Sequence, residues 1–507
     1  MTVTQRLLTL NARDNVAIAL DDIEAGEGID AGGLKLAQPV KRGHKVAISR
    51  IGKGQNVLRY GQIIGQALFD IAEGEHVHSH NLGMGEHARD YAHASDNHAL
   101  EAFSENRTFN GYHRADGRVG TRNYLGILTT VNCSGSVAKF IAQAAEREGL
   151  LDQFANVDGI VPITHGTGCG MASDNEGYDT LLRTLSGYAQ HPNFGGILLI
   201  GLGCEVMQLP ALVGGRKIRA DGALRYMTIQ HEGGTRKTIE KGLAELHDIA
   251  GLANAATRQS APVSQLMVGM QCGGSDGYSG ITANPALGVA SDLLVRHGGT
   301  TILSETSEIY GAEHLLTRRA VTPEVGHKLI ERIRWWEDYT ARNNGEMDNN
   351  PSPGNKRGGL TTILEKSLGA VAKSGSAPLV DVYRYGEQID KAGFVFMDSP
   401  GFDPCSVTGQ IASGANLIVF TTGRGSVSGY MPTPSIKIAT NSPMYERMSE
   451  DMDINCGDII SEAVSLEDKG QEIFDMFVRV ASGEKTKSEA LGFGGVEFVP
   501  WQIGAVM

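Results

Sequence analysis

The sequence is short of basic residues, short of cysteine and free of long apolar runs. Of its 507 residues 45 are lysine or arginine and 58 are aspartate or glutamate, a net charge of −13. Nucleic-acid binders carry a basic footprint, so no nucleic-acid partner is expected. A local basic cluster for a small anion is compatible with an acidic surface. No stretch nears the roughly 18 consecutive apolar residues a membrane span needs, and Met1–Arg6 lacks the basic-then-apolar layout of a secretory leader. No membrane partner is expected, and the expected location is cytoplasmic. Six cysteines are too few for a disulfide framework in so long a chain. In a reducing compartment they act as core fillers, nucleophiles or metal ligands. A Walker loop is missing, and Gly201-Leu202-Gly203 lacks the third glycine of a dinucleotide fingerprint.

Glycine is what the chain has in excess: 66 of 507, about 13% where about 7% is usual. That implies many tight turns and close backbone approaches. At about 150 residues per domain the length suggests three domains. Residues 1–80 predict a small β-rich unit, with strands at Asn15–Leu20, Lys45–Ile48, Asn56–Arg59 and Ile63–Ala67 between turn signals such as Lys41-Arg42-Gly43-His44. Residues 81–110 are polar and aperiodic and predict a linker. From 111 to 255, and again from 256 to 507, continuous apolar strands alternate with helical stretches. That alternation predicts two α/β domains with mainly parallel sheets. The fold class is thus α/β, with the β-rich unit in front.

Four groups of residues could carry chemistry. Cys133, Cys169, Cys204 and Cys272 each follow a predicted strand, the edge of a parallel sheet where ligands bind. Thiolates there suit iron or zinc, although cysteine is also a small core filler. His76, His78 and His80 alternate, so on a strand they share one face and could bind a metal or act as acid and base. Arginines boxed by glycine (Arg122 beside Asn123, and Arg424) and the Lys356 loop before a helix suit carboxylate binding. Asp276, Glu305 and Glu308 follow strands and could hold a metal or act as bases; loop acids are often mere caps, and starting a turn is the plainer use of Ser275 and Asp276.

Taken together, these strings resemble the altronate/galactarate dehydratase family of sugar-acid hydro-lyases over nearly the whole chain. DNVAIAL, GHKVAI and HVHSHN are similar to its N-terminal SAF-type domain. GYHRADGRVGTRN, GLGCE, MQCGGSDGYSGITANPALG, NPSPGNKRGGLTT and FTTGRG are similar to its catalytic body. HVHSHN, VYRYGE and IKIATNS resemble the altronate branch, whereas VGMQCGGSD and SDLLVRHGGT resemble the galactarate branch at least as much. The sulfolactate sulfo-lyases resemble the family too, but are usually split into two chains.

The resemblance implies dehydration of D-altronate to 2-dehydro-3-deoxy-D-gluconate, with galactarate or another aldarate or aldonate as the alternative substrate. It also implies Fe(2+) or Mn(2+), with an iron–sulfur cluster left open. A homo-oligomer is expected. The reaction needs a base for the C2 proton, help for the departing C3 hydroxyl, and a hold on the carboxylate as charge spreads into it. His165, His76, His78 and Glu305 are the candidate catalytic groups. Arg122, Asn123, Ser275, Asp276, Lys356 and Arg424 are candidates for binding the acid. Cys169, Cys204 and Cys272, with His76 and His78, are the candidate metal ligands; the two sets share one site only if the small domain docks over a sheet edge. The reading outside catalysis is a sugar-acid binding protein, which needs no metal.

Overall fold

The computed structural model describes every residue except 1, 5, 28, 30–33, 86–89, 214–222 and 505–507. Its N-terminal region is antiparallel. One sheet runs in the order Thr2–Thr4, Leu7–Thr9, Val16–Ala19, Lys45–Ala47, His76–Val77, and a second pairs Asn56–Arg59, Gln62–Ala67 and Leu82–Gly83. The strands are short because glycine turns interrupt them. Their inward residues, such as Val16, Ala47, Val57, Ile64 and Val77, are fully buried and join the main core of the molecule. Residues 90–107 form no regular element. They lie along the C-terminal region, where Ala94 N–H donates to Thr317 O (2.9 Å) and Phe103 N–H to Arg296 O (2.9 Å).

A small antiparallel sheet then gathers the chain. Thr108–His113 enters the second region and Gln259–Pro262 leaves it, and the two strands pair directly. The second region is therefore closed off at its base. Its four parallel strands run in the order Gly159–Ile163, Tyr124–Thr129, Phe194–Gly201, Leu224–Thr228. Tyr124–Thr129 and Phe194–Gly201 are buried along their whole length, as expected for strands covered on both faces. Helices Gly135–Arg147, Glu176–Ala189 and Thr235–Asn254 supply that cover.

The C-terminal region is built on seven parallel strands, in the order Leu379–Tyr383, Gly393–Met397, Thr300–Leu303, Met267–Cys272, Leu417–Thr422, Ser435–Ala439, Ile454–Asn455. The chain lays down the strands on one side of Met267–Cys272 first and then crosses to the other. The strand order therefore reverses between Met267–Cys272 and Leu417–Thr422. In an open parallel sheet the carboxyl ends at such a reversal leave a crevice, because the following connections diverge. The architecture is thus an antiparallel N-terminal unit followed by regions with parallel sheets and helices. Leu379–Tyr383, Ile454–Asn455 and the helix Asp403–Ala412 stand outside the sequence-predicted elements. The first two are short or lie at the sheet margin, and the helix is buried all round, so none carries a strong period.

Candidate active site

The crevice at the strand reversal is lined by charge. Cys272 is the last residue of its strand. Glu305 and Glu308 follow Thr300–Leu303 on a single helical turn. The Cys272 sulfur and a carboxylate oxygen from each glutamate lie within 4.8 Å of one another, the one group of this kind among the described residues. Glu305 adopts φ 70°, a left-handed conformation that costs a non-glycine residue of order 1–3 kcal/mol and is concentrated at functional sites.

Two lysines balance these acids. Lys366 Nζ lies 2.6 Å from Glu308 Oε1, and Lys373 Nζ lies 3.7 Å from Glu305 Oε2. Asn350 Nδ2 also donates to Glu308 Oε1 (2.7 Å). Cys272, Glu305, Glu308, Lys366 and Lys373 are all buried. Asp403, at the start of its helix, retains some solvent access. Its carboxylate lies against the backbone of Gly273, where a Cβ would come within 2.3 Å of Oδ2.

Burial and the neighbouring Glu308 hold Glu305 well above the usual carboxyl range. The same two causes lift Asp403 to about 7. Burial raises the Cys272 thiol. Burial opposes the charge on Lys366, but Glu308, Cys272 and Glu305 outweigh it and hold the ammonium up at about 12. Lys373 is likewise raised, against burial, by Cys272 and Glu305. Two polar atoms at this edge, Glu308 Oε2 and Ser275 Oγ, are buried without a hydrogen-bond partner. Since buried polar groups are normally satisfied, these two mark room for a ligand.

The N-terminal unit docks beside this crevice through a buried ionic triad. Lys45 Nζ lies 2.9 Å from Glu365, and Arg59 pairs with the other oxygen of the same carboxylate. Arg59 also donates to Gly277 O (2.6 Å), Lys45 to Gly359 O (2.6 Å) and Tyr278 Oη to Ala19 O (3.0 Å). The docking brings the histidines onto the loop that holds Lys356. His78 Nε2 donates to Lys356 O (2.8 Å) and His44 Nε2 to Arg357 O (3.2 Å). His76 Nε2 lies 3.0 Å from His44 Nδ1. A carbonyl only accepts, so His44 carries its hydrogen on Nε2 and accepts from His76 on Nδ1. Burial first, and the adjacent imidazoles second, press His76 down to about 3. Burial presses His78 to about 4. Both rings are neutral at physiological pH.

Several sequence-based assignments require correction. The alternating histidines do not share a straight strand: the strand ends at Val77, and residues 78–81 turn back. His80 is exposed at the rim. The rings nevertheless gather: His76 lies 5.4 Å from His78 and 5.6 Å from His80 between centroids, and His44 stacks on His78 at 5.2 Å. Both nitrogens of His78 are taken, Nε2 by Lys356 O and Nδ1 by Ser79 Oγ (3.0 Å). His165 is not in this crevice. It sits at the edge of the four-stranded sheet, lining a cavity of about 380 Å³ with Lys139 and Phe498. Its Nε2 donates to Thr129 O and its Nδ1 accepts from Thr167 N–H, so it has no free lone pair. Arg122 is spent as a strut, since its guanidinium is shared among both oxygens of Glu489 and the carbonyls of Thr121, Val480 and Glu484. Asn123 is buried and bonds Asn156 O, Ala253 O and Arg114. Asp276 is buried where it ties Thr440 and Asn441 to its own turn. Cys169 and Cys204 belong to the four-stranded sheet and are exposed, apart from buried Cys272.

By contrast, Lys356 and Arg424 make no side-chain ion pair or hydrogen bond among the described residues. Arg424 is exposed beyond Leu417–Thr422. Sequence reasoning missed His44, Lys366, Lys373 and Asp403. His44 was legible in principle, because pairing Val46 with His76 places it opposite His78. The other three reach the crevice only through tertiary packing.

Comparison with known proteins bears on this site. Residues 5–85 match the altronate/galactarate dehydratase SAF domain, residues 111–254 the D-galactarate dehydratase/altronate hydrolase second domain, and residues 263–506 the D-galactarate/altronate dehydratase C-terminal domain. An altronate dehydratase of Bacillus subtilis (strain 168) is 36% identical, over 96% of this chain and 97% of its own. A galactarate dehydratase (L-threo-forming) of Escherichia coli (strain K12) is 39% identical over 96% and 94%. The altronate dehydratase of the same organism is 37% identical over 96% and 97%. With all three regions matched in order and relatives of this similarity spanning the chain, the protein belongs to the altronate/galactarate dehydratase family of sugar-acid hydro-lyases.

Proposed function

We propose that the protein dehydrates D-altronate to 2-dehydro-3-deoxy-D-gluconate in the crevice around Cys272, Glu305, Glu308, Lys366, Lys373 and Asp403. The observation that carries this reading is a buried set of acids and ammonium groups at the strand reversal, with two orphaned polar atoms beside it. Asp403, balanced near pH 7, suits a base that takes the C2 proton, since a catalytic pKa near the working pH is the most effective. Lys373 and Lys366 keep their protons and face the negative charge that develops on the carboxylate oxygens. Lys373 is also the donor to the departing C3 hydroxyl. Arg424 and Lys356, unpaired at the rim, orient the acid from outside.

The family's divalent iron or manganese fits the donors present. If Cys272, Glu305, Glu308 and Asp403 are all ionised, they carry four negative charges against two on the lysines, and a divalent cation closes the difference. Cys272, Glu305 and Glu308 would hold it, and it would supply Lewis acidity toward the substrate oxygens. The histidines have a different part in this reading: as neutral rings they fix the Lys356 loop over the crevice.

A second substrate, galactarate, is favoured by one observation. Two unpaired cations at the rim suit an acid with a carboxylate at each end. Anaerobic assay of D-altronate, galactarate and related acids, with ferrous or manganous ion, separates the two. Turnover of altronate at the highest kcat/KM supports the proposal, and galactarate at the highest replaces it with the second reading. Metal-independent binding of an acid without any turnover would overturn both and make this a sugar-acid binding protein.

A further inference from the structure

Three of the six cysteines are exposed, Cys133, Cys169 and Cys204, and the other three are buried. Cysteine is among the residue types most often buried, so three exposed thiols in one place call for a cause. They occupy one edge. Each follows the carboxyl end of a strand, and those strands, Gly159–Ile163, Tyr124–Thr129 and Phe194–Gly201, are immediate neighbours. Hydrogen bonds lock the three loops together beside the thiols. Asn132 N–H donates to Thr167 O (3.0 Å), Met207 N–H to Gly168 O (3.0 Å), and Thr130 Oγ1 to Glu205 Oε1 (2.7 Å). Gly168 has φ 98° and rests on Thr130, where a Cβ would lie 2.0 Å from the carbonyl oxygen. A glycine is therefore required to bring the Cys169 loop against the Cys133 loop. Gln230 Nε2 lies 3.5 Å from the Cys204 sulfur and can donate to it.

We propose that Cys133, Cys169 and Cys204 are the protein ligands of an iron–sulfur cluster, on the second region and separate from the Cys272 crevice. Thiolates select iron–sulfur clusters and other soft metal centres. A single ion draws its donors together, as the Cys272 group does, whereas the three exposed thiols form no set within 4.8 Å of one another. Inorganic sulfide and several irons fill a wider gap. Three protein thiolates leave one iron to a ligand from solution, and the open edge admits one. A donor such as Gln230 to a coordinating sulfur is a known lever on cluster potential.

The test uses the full chain, purified without oxygen and reconstituted with ferrous iron and sulfide. The expected result is several irons with matching acid-labile sulfide per chain and visible charge-transfer absorption. Single Cys133→Ala, Cys169→Ala and Cys204→Ala variants should each lose most of the sulfide and absorption. These positions are exposed, so the variants should keep the circular dichroism of the parent. In the unsubstituted protein, alkylation with mass spectrometry should find these three thiols protected, and reactive once a chelator and oxygen have removed the metal. Iron bound without labile sulfide, zinc at the three thiols, or equal alkylation before and after chelation would each overturn the proposal. None of these readouts depends on which acid is dehydrated, so the cluster and the catalytic reading fail separately.

Discussion

At the scale of single residues the crevice is governed by what surrounds each group. Asp403 is an ordinary aspartate whose carboxyl is brought to about 7 by burial and by Glu308. A base must be deprotonated to act, so kcat/KM should rise as pH passes upward through about 7. Asp403→Asn should abolish that rise and lower kcat by about 10²–10⁴-fold, the usual worth of a positioned acid or base. A pH–rate profile of both proteins checks this. Arg122 makes the opposite case. Its sequence context of glycines suggested a substrate clamp, yet every donor is occupied inside the protein. Removing one partner of a buried charge pair costs about 3–5 kcal/mol. Arg122→Met should therefore lower the denaturation midpoint markedly while leaving KM for the acid unchanged. A raised KM at unchanged stability would restore the clamp.

At the scale of elements, the ends of strands and the turns after them set the geometry. Gly273 follows Met267–Cys272 and lets the Asp403 carboxylate lie on its backbone. Gly273→Ala should displace Asp403, and a shift of about 1 Å near a reacting group costs on the order of 10²-fold in rate. The expected outcome is a large fall in kcat with an unaltered far-ultraviolet spectrum, measured by steady-state kinetics and circular dichroism. The histidine motif also belongs to this scale. Alternation in sequence predicts one shared face only while the chain stays extended. Asn81 caps the turn by accepting from His78 N–H (2.9 Å) and donating to His76 O (3.0 Å). That turn keeps the His78 and His80 rings within 5.6 Å of His76 and sets His78 on the Lys356 carbonyl.

At the scale of the whole molecule, the N-terminal unit is held to the catalytic region by Glu365 between Lys45 and Arg59. Burial alone would raise this carboxyl, but the two cations prevail and hold it near 2. Lys45 is drawn down by burial to about 8 and still carries its proton at neutral pH. A carboxyl depressed on folding contributes stability that is complete above its unfolded pKa of about 4.5 and is lost as pH falls through 2. With a shift of this size the contribution is on the order of 3 kcal/mol. Glu365→Gln should therefore weaken docking most at neutral pH, with the difference in melting temperature from the parent shrinking between about pH 4.5 and 2. A difference independent of pH would show that the triad does not carry the docking.

The sequence by itself determined the succession of elements. Apolar runs of strand length, glycine turns and amphipathic helices are local properties, and local hydrogen bonding and burial respond to them directly. Asn56–Arg59 lies where its pattern points, and the alternation of strands and helical stretches from 111 onward is found as parallel sheets covered by helices. The strings around Cys272 and the histidines also placed the chain in its family, because residues bound by chemistry recur as contiguous motifs. Tertiary structure alone decided which of those residues meet. Lys366, Lys373 and Asp403 lie about 90 to 130 positions beyond Cys272 along the chain, and only tertiary packing brings them to it. Arg122 and Asp276 read as free donors and acceptors until packing surrounds them with partners. Side-chain chemistry is written residue by residue, but its electric field and its unmet hydrogen bonds exist only once distant segments have closed around it.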